Sequence, residues 1–143
     1  MVDLAHLETV AEELMDAFSI TAPPIPIERI LQNPQSDMWD DVDLSRLSGS
    51  FLKLKESFSP RMSLARMLAR HVASCDWGAA RGLSGLDRDE SKLYSFARML
   101  VMPANMIMQL NETARTPHLL GTYFEVPEED ARVRLKELEA GKS

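Results

Sequence analysis

The sequence predicts an α+β domain, rich in helix and carrying a small antiparallel sheet. Four segments repeat apolar residues at spacings of three and four, the signature of helices with one face turned to a core. One segment alternates apolar and polar residues, as a half-buried strand does. Proline and glycine punctuate the intervals between them.

In chain order, Leu4, Leu7, Val10, Ala11, Leu14, Met15 and Phe18 predict an amphipathic helix from about residue 3 to 18, with Asp3 as its cap. Pro23 and Pro24 forbid helix, after which Ile25, Ile27, Ile30 and Leu31 predict a short helix closed by Asn33 and Pro34. Residues 35–46 read as a loop or irregular first strand with Trp39, Val42 and Leu44 interspersed. Leu47–Lys55 is the alternating segment, predicted as one of two or three strands in the sheet.

Ser59 and Pro60 open the next helix, the serine as cap and the proline in the first turn. Arg61–Trp77 then reads as the helix buried at the centre, with Ala65, Leu68, Val72 and Cys75 as its core stripe. The glycine-rich run from Gly78 reads as a surface loop. A helix from about Asp89 shows a stripe of Leu93, Phe96, Ala97 and Leu100 and stops at Pro103, which opens a third helix with Met106, Ile107 and Leu110 inward. A short helix, a turn at Phe124–Pro127 and a last amphipathic helix with Val133, Leu135 and Leu138 complete the chain.

At 143 residues the length fits one domain spanning 1–143. Apolar residues make up 45% and no stretch reaches the length of a membrane span, while the acidic, amphipathic N-terminus lacks the positive start of a secretory signal; a cytoplasmic location follows. The single cysteine, Cys75, excludes a disulfide framework within one chain. A net charge of −6 argues against nucleic acid as a partner, and the acidic residues of the last helix would repel phosphate. Charge is uneven, however. Arg61–Arg98 carries seven basic residues against four acidic ones, which leaves the rest of the chain nine units negative. The methionines of the third helix, at helical spacing, read as core fillers.

Arg61-Met62-Ser63-Leu64-Ala65-Arg66-Met67-Leu68-Ala69-Arg70-His71 resembles the active helix of the ImmA/IrrE-type zinc metallopeptidases, whose pattern is roughly R-F-T-L-A-H-E-L-G-H-H. Three further stretches are similar to that family: Pro23–Leu31, Phe96–Pro103 against F-A-x-x-L-L-M-P, and the Phe124–Pro127 turn with the last helix against F-x-V-S followed by an alanine-arginine-leucine helix. The resemblance implies a minimal zincin-type fold over most of the chain, with the Leu47–Lys55 strand lining a substrate groove. It also implies a degenerate member without the HExxH motif. Arg66 and Arg70 stand at the two histidine positions, Met67 at that of the catalytic glutamate, and Lys92 at that of the third ligand.

Zinc needs neutral imidazoles or carboxylates with lone pairs to donate, and peptide hydrolysis needs a base for the bound water. Arginine is always protonated and has no acceptor, and methionine cannot take the proton. No zinc is therefore expected, and no catalytic residue. Glu90 lies two residues before Lys92, which rotates it roughly 200° from the required face of a helix. His6, His71 and His118 read as structural or surface histidines, with no spacing that favours a new metal site among them.

All three ligand positions became cationic. Arg66, Arg70 and Lys92 must then splay to solvent, pair with acids inside the domain, or hold an anion or a partner's carboxylate. The expected function is a catalytically inactive, regulatory or protein-binding module that uses the former substrate groove. By family analogy its partner is a helix-turn-helix repressor. The alternatives are a hydrolase with a relocated or non-standard metal site and a piece with a structural role in a larger assembly.

Overall fold

The computed structural model describes residues 3–40, 42 and 59–140. Among these residues there is no strand, and every regular element is helical. The helices are α1 (Leu4–Ala17), α2 (Ile27–Gln32), α3 (Ser59–Ser74), α4 (Asp76–Ala79), α5 (Glu90–Val101), α6 (Ala104–Met108), α7 (Pro117–Phe124) and α8 (Glu128–Ala140), with 3-10 turns at Leu86–Arg88 and Glu112–Ala114. The predicted α+β class and its small antiparallel sheet are thereby corrected to an all-helical architecture. The physical reason is one of partners: a strand needs a neighbour to complete its hydrogen-bond ladder, and the elements that pack against α3 are themselves helices or helical turns. The predicted Leu47–Lys55 strand lies outside the described residues.

Local chemistry starts the helices where the sequence places them. The Asp3 carboxylate accepts from the His6 amide at 2.8 Å and caps α1. Asp89 caps α5 by accepting from the Lys92 amide at 3.1 Å, and Thr116 caps α7 through the Leu119 amide. At the end of α7, Glu125 takes a left-handed conformation (φ 59°) and the Val126 amide returns to the Gly121 carbonyl, which builds the predicted turn.

The helix at the centre is α5, not the one expected. Its buried residues, Leu93, Ser95, Phe96, Ala97, Met99, Leu100 and Val101, cover most of its circumference, because α1, α3 and α8 all pack against it. α3 lies alongside, burying Ala65, Leu68 and Val72 and leaving the other edge outward. It ends at Ser74, so Cys75 is half-buried at the start of α4 and its thiol donates to the Val72 carbonyl at 3.3 Å. The predicted surface loop after Trp77 contributes core as well: Leu83 and Leu86 are buried. Of the methionines expected to fill the core from the third predicted helix, Met106 is buried and Met108 is exposed; Met15, Met62, Met99 and Met102 are buried as well.

Arginines tie the helices together. Arg61, at the start of α3, donates to the carbonyls of Glu125, Ile25 and Phe124 at 2.9, 3.1 and 3.3 Å, joining three distant segments. Burial disfavours its charge, which Glu28 and Glu125 partly offset. Arg134 of α8 is completely buried, forks onto both Glu8 oxygens of α1 at 2.5 and 2.6 Å, and donates to the Met102 carbonyl at 3.0 Å. Arg98 and Ser95 of α5 hold Glu137 of α8. Burial pushes the Glu137 carboxyl up, and those hydrogen bonds, with the charges of Arg98 and Arg134, more than reverse it. Two of the seven basic residues of Arg61–Arg98, Arg61 and Arg98, are thus engaged within the fold.

Candidate functional site

The outward edge of α3 is set by its own periodicity. With Ala65, Leu68, Ala69 and Val72 turned to the core, Ser63, Arg66 and Arg70 fall on the other side, at spacings of three and four. Arg66 and Arg70 therefore project side by side, as the sequence predicts. The Arg66 guanidinium carbon lies 5.3 Å from the centre of the Tyr94 ring on α5, and one of its nitrogens donates to the Ser63 hydroxyl at 3.3 Å. Cation–π contact holds the charge in place without neutralising it. Arg70 is exposed, with no hydrogen bond or ion pair to another described residue.

Arg66 reaches α5 on a different face from the one that bears Lys92. The Tyr94 hydroxyl donates to Glu90 Oε1 at 2.8 Å, so Glu90 and Tyr94, four residues apart, share a side of the helix. Lys92, two residues from each, is rotated from them by roughly 200°. Glu90 thus stands on the side of α5 that meets Arg66 through Tyr94. Tyr94 was not among the residues singled out in the sequence; its spacing from Glu90 is the signal that marks the pair. Met67 is half-buried and packs against the core.

Beyond Arg70 the same edge runs into an open depression of about 310 Å3, lined by Asp37, Met38, Trp39, Asp40, His71, Ser74, Cys75 and Asp76. Its walls are fixed. The Trp39 indole donates to the Leu31 carbonyl at 3.0 Å, and the Trp77 amide donates to the Asp37 carbonyl at 2.8 Å. The His71 ring lies 6.0 Å from that of Trp39, tilted by 35°, and burial holds its pKa below the ordinary histidine value. Nothing in the sequence pattern joins residues 37–40 to 71–76; only the packing does.

The histidines occupy three separate places. His6 Nε2 bonds the Arg81 carbonyl at 2.6 Å, His71 faces Trp39, and His118 lies 3.7 Å from Glu128 between α7 and α8. Among the described residues no group of three or more histidine, cysteine, aspartate or glutamate side chains is placed to hold a metal ion. Among them also, no helix is long and apolar enough to cross a membrane. Set against protein-family models, the curated proteins and the solved structures, the chain matches none.

Proposed function

We propose that this chain is a non-catalytic binding module of the cytosol, and that the outward edge of α3 is a docking face for the carboxylates of a protein partner. The observation that carries the reading is the pairing of Arg66 and Arg70 one turn apart, the first held by an aromatic ring and the second exposed, with neither charge neutralised by a described residue. Arginine forks match carboxylates and cannot ligate a metal, so the same two residues that disable a zinc site suit acidic groups. The ImmA/IrrE resemblance supplies the partner class, a helix-turn-helix repressor, as an analogy.

Calorimetric titration with a short acidic peptide, with phosphate and sulfate as simple anions, tests the reading. Saturable binding of the peptide that weakens at least about tenfold in Arg66→Ala/Arg70→Ala supports it. Binding that is unchanged in that variant, or stoichiometric zinc retained after dialysis, refutes it.

A further inference from the structure

The docking face does not end at Arg70. One turn further along α3, Ser74 lines the depression into which Asp37, Asp40 and Asp76 also turn. All three carboxylates are exposed, and none forms an ion pair with a described residue. Among the described residues no lysine or arginine lines the depression, and the one basic group among them, His71, is held toward its neutral form by burial. Two patches of opposite sign, unpaired among the described residues, therefore adjoin along the outward edge of α3. By the rise of a helix, Arg70 and Arg66 stand about 6 and 12 Å from Ser74 along the axis.

We propose that the two patches are one surface, and that its occupant is a bipolar peptide segment: carboxylates against Arg66 and Arg70, and a lysine or arginine side chain entering the depression between Asp37, Asp40 and Asp76. This rests on the reading of Arg66 and Arg70 as a docking face. Charge complementarity selects the occupant. A uniformly acidic segment that overran Arg70 would meet three carboxylates, and a uniformly basic one would meet two arginines, so the surface discriminates by repulsion as well as attraction. The depression also suits the shape of a long basic side chain. Met38 and Trp39 offer apolar wall to its methylene stem while the charged end reaches the aspartates. An extended chain covers 12 Å in about four residues, which sets the separation of acid and base in the partner.

The experiment compares three peptides of one length by calorimetry on the unmodified chain. One carries paired glutamates followed about four residues later by a lysine, one has glutamine for the glutamates, and one has glutamine for the lysine. The bipolar peptide is expected to bind about tenfold more tightly than the purely acidic one, and Asp40→Asn/Asp76→Asn is expected to erase that advantage while leaving the acidic peptide's affinity unchanged or higher. These aspartates are exposed, so the variant keeps the fold; an unchanged thermal midpoint checks it. Equal binding of the bipolar and acidic peptides overturns the two-patch surface and leaves the Arg66–Arg70 face standing. An advantage that survives the aspartate substitutions overturns it as well. Absence of binding by any peptide overturns both readings.

Discussion

Replacing Arg134 by methionine removes the one charged side chain that is wholly buried among the described residues. Three interactions go with it: both bonds to the Glu8 carboxylate and the bond to the Met102 carbonyl at the end of α5. Removing one member of a buried ion pair costs about 3–5 kcal/mol, because the other charge is left without its partner. The Glu8 side chain retains 22% exposure, so water recovers part of its solvation and the lower end applies. The unpartnered Met102 carbonyl adds about 1 kcal/mol, and methionine keeps most of the apolar stem volume. The expected loss is roughly 3–4 kcal/mol, a large share of the total stability of a domain this size. With an unfolding entropy near 0.3 kcal/mol/K for a chain of this length, the melting midpoint falls by about 10 °C or more. Urea unfolding followed by circular dichroism measures it. The paired substitution Glu8→Leu/Arg134→Met removes both charges and is expected to return to within about 1–2 kcal/mol of the native chain. A single variant that loses less than about 1 kcal/mol, or a double variant as unstable as the single one, refutes the reasoning.

Two further outcomes follow from the packing and from the histidine beside Trp39. A Cβ at Gly78 would stand 1.9 Å from the Val72 carbonyl oxygen, so Gly78→Ala must displace α4 from the end of α3; a loss of about 3 kcal/mol or more in thermal unfolding is expected, and a neutral effect would show that this turn yields freely. Because the folded-state pKa of His71 is lowered by burial, the neutral ring is favoured in the native chain; its stabilising effect is present above the ordinary value of 6.5 and is lost as pH falls below it. Melting midpoints measured downward from pH 7 should fall through that window, and His71→Gln should flatten the fall; an unaltered slope in the variant rules His71 out as the cause.

How much of this was legible in the sequence depended on the range of the interaction that decided each feature. The Asp3 cap, the stripe of α1 from Leu7 to Met15, the break at Pro23 and Pro24, the stop at Pro103 and the Phe124–Pro127 turn are set within a few residues, and each lies where its spacing predicts, while Leu4, at the head of the predicted stripe, is exposed. The last helix shows the boundary. Val133, Leu135 and Leu138 predict its inner face, yet they are only half-buried, and Arg134 with Ala131 takes the deepest place. An arginine reads as a surface residue until a carboxylate 126 positions away is brought against it. The predicted sheet has no strand among the described residues, and an alternating pattern in one segment shows that it suits a ladder without saying which neighbour would complete it.

The candidate site divides in the same way. That Arg66 and Arg70 share an outward edge, and that neither they nor Met67 can serve a zinc peptidase, follows from helical spacing and side-chain chemistry alone. That Arg66 rests on Tyr94, on a face of α5 away from Lys92, required the packing of α3 on α5. So did the acidic depression, which joins residues 37–40 to 71–77 through the Trp77–Asp37 backbone hydrogen bond and the contact of the His71 and Trp39 rings, across more than thirty positions of chain. Helix periodicity is a local property of the backbone and survives in any one segment. The sign of the charge that faces a given arginine is fixed only when distant segments bury their apolar sides against one another, and that is a decision of the tertiary structure.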